Sequence, residues 1–476
     1  MGRYKTLLSN TLIFTISQFS SKLLIFFMLP VYTRAMTTGE FGASDLINSS
    51  VGLLMPIFTL SIADGALRFA MSSDADNKQV FSFGLKTIFA GFVILIIAFP
   101  IFLKISIIKD YLLLFYLTYI TSTVQNYLNK FARGINIIKL VGICGVLSTV
   151  VVVISNILLL LVFNMGIKGY LVSFILANII SSVVLFIGGG MHRYLSVNHS
   201  QEQLKKDMLR FSIPLAPNHL SWWLNDTANR YIIAAFCGLS QVGLFAAASR
   251  IPAILITLQG IFYQAWLLSA ISEYKNENKD KFFSEVYKLY NIVMLLGCTV
   301  LISLVRVIAG ILFSGEFYGA WQYIPYLLIA VIFGALSGFF GSLYSASKQN
   351  NMLFVTTLVG SIVSVGINFL LVPYYGPMGA SAASVVAYIV IWLVRLIDCR
   401  KYVKLHISLA IDCSCYVLII AQAVAVLYLP ILLGYISSAL VFGMILLLYK
   451  KDLLNLYCLA KDFIKVKMEA KSKYEH

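Results

Sequence analysis

Apolar stretches of about twenty residues recur along the chain with short polar gaps between them, the length at which a helix crosses a hydrocarbon core of about 30 Å. Such runs occupy Asn10 to Thr33, Gly42 to Arg68, Val80 to Phe102, Tyr111 to Asn129, Leu140 to Phe163 and Gly169 to Gly189. After a polar segment they resume at Phe211 to Cys237, Val242 to Ala270, Phe283 to Phe313, Tyr323 to Ala346, Met352 to Val372 and Gly379 to Cys399. Ile407 to Leu427 and Pro430 to Tyr449 complete the set. The alternating pattern of a β-barrel is absent. The prediction is an all-α polytopic membrane protein of about 14 transmembrane helices.

Lys and Arg choose the orientation. Gaps on the N-terminal side hold most of them, among them Arg3, Lys5, Lys130, Arg133, Lys205, Lys206, Arg210, Arg395, Arg400 and Lys401. Opposite gaps hold Arg34, Lys104, Lys109 and Lys168, so both termini are expected in the cytoplasm. The net charge of +16 is thereby explained by orientation, and no nucleic acid partner is expected. Composition agrees, at 60% hydrophobic and 12% charged residues against about 25% charged in soluble domains. Seven cysteines without CxxC spacing suggest neither a metal site nor a disulfide framework. The basic start is read as the first span, with no small-residue cleavage site after it. Outer loops are short and no phosphate-cradling, HExxH or nucleophile-elbow motif appears, which disfavours an enzyme.

A shift of about 201 residues sets PVYTRAMTTGEFGASDLINSSVGLLMPIF, from Pro30, beside YIIAAFCGLSQVGLFAAASRIPAILITL, from Tyr231. Phe41-Gly42 then meets Val242-Gly243. NMGIKGYLVSFILANIISSVV from Asn164 likewise resembles YYGPMGASAASVVAYIVIWLV from Tyr374, pairing Gly166 with Gly376 and Gly169 with Gly379. The division expected is an N-lobe of helices 1–6 at 1–190, a cytoplasmic linker at 191–210 and a C-lobe of helices 7–12 at 211–406. Helices 13 and 14 at 407–449 and a basic tail at 450–476 follow. Facing helical repeats with a site at their interface are a transporter plan.

Polar residues inside the runs are the candidate chemistry. His219, Trp222 or Trp223, Asp226 and Arg230 recur at three- and four-residue steps, placing them on one helix face. Arg250, Thr257 and Gln264 lie seven residues apart and form a second stripe. Lys22, with Gln18 and Ser21, sits mid-span, where an ammonium facing lipid costs at least about 2.5–3.5 kcal/mol. Arg306 occupies a similar depth to Arg230 and Arg250. Arg68, Lys86 and Lys288 are near enough to span ends to snorkel. Asp64 and Asp226 are candidates for binding H+ or Na+, with an ion pair to Arg68 an equal account of Asp64 and a pair with Arg230 the rival role of Asp226. Asp45 is read as a cap or a solvated group, and Trp266 and Tyr263 as packing or interface residues.

LPVYTRAMTTGEFGASDLI from Leu29, IPLAPNHLSWWLNDTANRYII from Ile213 and ASRIPAILITLQGIFYQAWLLSAISEY from Ala248 resemble bacterial polysaccharide repeat-unit flippases. This family, of the O-antigen, capsule and exopolysaccharide type, lies within the multidrug/oligosaccharidyl-lipid/polysaccharide exporter superfamily, and the resemblance covers almost the whole chain. It implies two six-helix lobes about a central cavity in the bacterial inner membrane. It also implies translocation of undecaprenyl-diphosphate-linked oligosaccharide from the inner to the outer leaflet by alternating access, without a cofactor, beside membrane lipids and the polysaccharide polymerase and chain-length machinery. On that implication Lys22, Arg230, Arg250 and Arg306 would hold the diphosphate, since guanidinium forks and ammonium charge both suit phosphate oxygens. Trp222 and Trp223 would stack on sugars, and Asn218, Asn225 and Gln264 would bond hydroxyls. A lipid II flippase, a multidrug/cation antiporter on the same scaffold and a non-transporting scaffold protein are the rivals.

Overall fold

The computed structural model describes residues 24, 26–72, 76–103, 106–196, 202–347 and 349–453. Lys22, the start of the first expected span and the tail beyond 453 lie outside them. Within the described residues, ten helical segments are long and apolar enough to cross a membrane. In chain order the main helices are α1 (Leu29–Ala35), α2 (Thr38–Phe58), α3 (Ile62–Ala70), α4 (Asn77–Ile97), α5 (Leu112–Gly134), α6 (Ile138–Asn156), α7 (Gly166–Gly188) and α8 (Glu202–Ser212). They continue as α9 (Leu215–Cys237), α10 (Leu239–Ser249), α11 (Pro252–Glu273), α12 (Lys279–Leu312), α13 (Ile324–Ala346), α14 (Asn350–Cys399), α15 (Leu409–Tyr428) and α16 (Ile431–Leu448). The molecule is thus an all-α polytopic membrane protein.

Local chemistry sets the element ends, and two expected spans are divided by it. The Thr37 side chain accepts from the Glu40 amide while the Glu40 carboxylate accepts from Thr37, a capping box that starts α2 four residues before the expected boundary. Pro56 lies near the end of α2, and the chain then passes Leu60 and Ser61 with φ of 52° at both, so the span expected from Gly42 to Arg68 is two helices. The run from Val242 to Ala270 is also divided, because α10 ends at Ser249 and Pro252 begins α11. The two spans expected at Met352 to Val372 and Gly379 to Cys399 are two helical segments within α14, separated where Gly376 leaves the helical conformation, with φ 55° and ψ −138°, between Pro373 and Pro377. A residue with a Cβ is strained in that conformation.

By contacts the chain forms two units. The first holds Met1–Ile261, Ala309–Ala320 and Thr357–Ala387. In it α2 packs along α10, α7 lies against α5 and α6, and α3 sits between α5 and α8. One apolar core there joins Ile62, Ala66, Phe81, Tyr127, Phe131, Met191 and Met208, all buried. The Tyr127 hydroxyl is satisfied by donating to the Phe81 carbonyl at 2.8 Å.

The second unit holds Phe262–Ile308, Trp321–Thr356 and Tyr388–His476. Its α13 is buried along most of its length, and α15 and α16 form an antiparallel pair. Trp266 stacks on Phe339 with ring centroids 4.7 Å apart and meets Phe262 and Phe282, so its role is packing. Arg395, which the sequence places among the cytoplasmic gap residues, is instead 2% exposed within α14. Its guanidinium donates to the Ser337 carbonyl at 2.8 Å and to the Thr356 hydroxyl at 2.9 Å, which satisfies the donors of a charge that could not otherwise be buried.

Candidate functional site

One face of α9 carries the polar residues that the periodicity selects, and that face meets α2 and α3 of the same unit. His219 Nε2 lies 3.3 Å from Asp64 Oδ2 on α3, and Lys130 Nζ of α5 lies 2.6 Å from Asp64 Oδ1. Further along, the Trp223 indole N–H donates to the Ser49 carbonyl at 2.9 Å. Tyr231 and Ser50 share a hydrogen bond of 2.6 Å, and the Tyr231 ring sits 5.3 Å from that of Trp223. Arg230 Nε then lies 2.6 Å from Asp45 Oδ2. The stripe is real and it binds helices together.

Asp45 is the centre of this arrangement. Besides Arg230 it holds Arg250, whose Nη2 is 3.6 Å from Oδ1, and its side chain is 12% exposed. The expectation that Asp45 caps a helix or is solvated is therefore corrected: Thr37 caps α2, and Asp45 faces two guanidiniums. The rival reading of Arg230, a pair with the Asp226 carboxylate one turn back, is replaced by a bond from Nη1 to the Asp226 backbone carbonyl at 2.9 Å. Phe245 and Phe41 present their rings to Arg230 and Arg250, each 5.9 Å from the guanidinium carbon. Two cations about one carboxylate leave the cluster with excess positive charge in a membrane helix bundle, where an unmatched ion is costly.

This cluster forms because backbones approach closely. A Cβ on Gly42 would overlap the Leu239 carbonyl oxygen and come 2.8 Å from the Gly243 nitrogen. One on Gly243 would overlap the Thr38 carbonyl oxygen and come 3.1 Å from the Gly42 nitrogen. Small residues at such crossings let membrane helices touch along their main chains. The Thr38 hydroxyl further donates to Glu316 at 3.1 Å, and Phe317 packs edge-on against Phe41.

The remaining candidates are dispersed. Of the two readings of Asp64, the pair with Arg68 is not formed: its partners are Lys130 and His219. Trp222 and Asp226 are exposed and Asn218 is half-buried. Asn225 is 3% exposed, and its amide has no hydrogen-bond partner among the described residues. Thr257 donates to the Ala253 carbonyl at 2.7 Å and Gln264 is exposed; with the helix broken between Arg250 and Pro252, the second stripe is not one continuous face. Arg306, in the second unit, donates from Nη2 to the Val426 carbonyl at 2.6 Å and lies 4.6 Å from the Trp321 ring, so it holds the C-terminal end of α15. Lys288 was expected to snorkel and is paired with Asp452 at 2.9 Å. Among the described residues no cluster of three or more His, Cys, Asp or Glu is placed to hold a metal.

Residues 7–267 match the family model described as polysaccharide biosynthesis protein. No curated protein matches the sequence. Among solved structures, the lipid II flippase MurJ in an inward closed conformation superposes with a TM-score of 0.71 at 14% identity, covering 93% of this chain and 100% of that one. A multidrug resistance MATE family transporter of the MOP superfamily, inward-facing, gives 0.62 at 16% identity over 81% of this chain and 98% of its own. A MOP superfamily transporter from Pyrococcus furiosus gives 0.59 at 13% identity, over 82% and 95%. These likenesses establish a shared fold. Because the family match spans more than half of the chain, the chain belongs to the polysaccharide biosynthesis protein family, built on the fold of these transporters.

Proposed function

We propose that the chain is a flippase that moves undecaprenyl-diphosphate-linked oligosaccharide repeat units from the inner to the outer leaflet of the bacterial cytoplasmic membrane. The observation that carries this reading is the Arg230–Asp45–Arg250 cluster, in which an unmatched guanidinium charge stands inside the helix bundle of a polysaccharide biosynthesis protein. Phosphate oxygens are the natural acceptors for such donors, since Arg offers them paired, charge-assisted hydrogen bonds. Both termini lie in the cytoplasm on this reading, as the Lys and Arg distribution supports. Alternating access between two repeat-related lobes moves the head group, and the polymerase and chain-length proteins receive the product. Asp64, between Lys130 and His219, is the group through which H+ or Na+ would be coupled.

The likeness to MurJ supports a second reading, a lipid II flippase, which would use the same cationic site. An antiporter for organic cations is less well supported, because the paired arginines repel such a cargo. The test is reconstitution in liposomes carrying fluorescent lipid-linked repeat units or lipid II, with outer-leaflet exposure measured by an impermeant quencher. Exposure of repeat units above protein-free vesicles supports the proposal. Equal exposure with and without protein, under H+ and Na+ gradients of either sign, would sink it.

A further inference from the structure

Arg250 shares a side-chain hydrogen bond with Tyr170, but the bonds of both arginines to Asp45 are poorly aligned. Arg230 Nε is 2.6 Å from Asp45 Oδ2, yet both atoms lack an aligned hydrogen bond, and Arg250 reaches the other oxygen only at 3.6 Å. Neither guanidinium makes the forked two-bond pairing that it forms with a well-placed oxyanion. The Arg250 side chain is 36% exposed, against 12% for Asp45, so the guanidinium is the more open side of the pair.

The carboxylate's position is also tied to a helix contact. Asp45 lies one turn beyond Gly42 on α2, and Arg250 follows the last turn of α10, whose crossing of α2 runs from Leu239 to Gly243. The crossing is reciprocal: Gly42 abuts Leu239 and Gly243 abuts Thr38, and both pairs, Thr38 with Leu239 and Gly42 with Gly243, have the 201-residue offset of the sequence repeat. At the same offset Asp45 corresponds to Ala246, so of these two helices α2 carries the carboxylate and α10 has none.

From these observations we infer that Asp45 is a stand-in for the substrate's phosphates: it occupies Arg230 and Arg250 while α2 and α10 are in contact, and a diphosphate displaces it, loosening the contact of α2 with α10. The inference rests on the reading above that these arginines receive an anionic head group. A diphosphate carries more charge and more acceptor oxygens than one carboxylate, so the exchange favours the ligand. Closed contact and bound ligand then compete for the same two side chains, which makes ligand binding and helix separation one equilibrium.

The experiment measures binding of geranyl diphosphate to the purified full chain in nanodiscs, with inorganic pyrophosphate as a second probe. Asp45→Asn removes the competitor and is expected to tighten geranyl diphosphate binding about tenfold, within the usual range of coupling between linked sites. Asp45→Glu keeps the competing charge and is expected to show none of that tightening. Gly243→Ala, which alters no charge but pushes the helices apart, tightens binding in the same direction and serves if Asp45→Asn does not fold. Pyrophosphate showing the same ratios assigns the effect to the phosphates; ratios confined to geranyl diphosphate assign it to the lipid-linked form. Binding that Arg250→Gln weakens, but that Asp45→Asn and Gly243→Ala leave unchanged or weaken, overturns the stand-in role alone. Wild-type binding indifferent to Arg230→Gln and Arg250→Gln overturns the head-group reading with it.

Discussion

Replacing Gly42 by Ala adds one methyl group where two main chains touch. The new carbon would sit 2.8 Å from the Gly243 nitrogen and overlap the Leu239 carbonyl oxygen, whereas ordinary contact needs about 3.5–4.0 Å. No side-chain rotation relieves this, because every obstructing atom is backbone. Overpacking a tight core costs about 1–3 kcal/mol, and a backbone obstruction belongs at the upper end. Against it stands a gain of about 1 kcal/mol from Ala over Gly in a helix interior. The expected net loss is therefore about 2 kcal/mol for Gly42→Ala, and the same for Gly243→Ala. Gly443 on α16 has no atom within 4 Å of a built Cβ, so Gly443→Ala keeps only the helix gain and is stabilised by about 1 kcal/mol. Reversible unfolding in SDS-containing mixed micelles ranks the three variants. The double variant Gly42→Ala/Gly243→Ala should lose less than the sum, because both methyl groups open one crossing. If Gly42→Ala proves as stable as Gly443→Ala, the backbones do not touch and the account of the Asp45 cluster fails.

Other outcomes follow from the same contacts. Trp223→Phe removes the bond to the Ser49 carbonyl and leaves that acceptor unmet, costing about 1 kcal/mol in the same unfolding assay, with liposome transport retained; loss of transport at full stability would return Trp223 to the sugar-binding role. Arg306→Ala frees the end of α15, and faster hydrogen exchange at Leu427 to Leu429 with unchanged geranyl diphosphate binding is expected. Lys130→Met strips Asp64 of its closest cation, and Asp64→Asn in the same chain restores most of the stability lost; no recovery in the double variant would show that the two side chains act separately. Arg395→Ala leaves a buried void and unmet acceptors and destabilises by about 3 kcal/mol, while Arg395→Met, which fills the space without a charge, is milder.

Helix positions were legible because lipid and packing impose a period on side chains, and the face of α9 carrying His219, Trp223 and Arg230 could be read directly from their spacing. The partners of that face could not. Asp45 and Asp64 lie far from Arg230 and His219 along the chain, and spacing says nothing about which distant carboxylate a guanidinium will reach. Local alternatives, Asp226 for Arg230 and Arg68 for Asp64, looked sufficient and were not the ones used. Arg306 looked like its neighbours in depth, but its hydrogen bonds go to the end of α15, a tertiary contact invisible to hydropathy. The glycines were visible as a repeat; their mutual contact was not, since a repeat gives correspondence and not proximity. The break at Leu60 and Ser61 carried no Gly, Asn or Asp to announce it.

That break has a mechanical consequence. Two successive non-glycine residues in the left-handed region cost about 1–2 kcal/mol each, so the joint is held by its surroundings rather than by local preference. On one side of it α2 carries Asp45, and on the other α3 carries Asp64. The opposing strut, α9, is a single unbroken rod whose His219 and Arg230 grip one carboxylate each, about 16 Å apart along its axis. One arm of the elbow is held at Asp64 and the other at Asp45, Ser49 and Ser50, so the straightness of α9 sets the angle at which α2 meets α3.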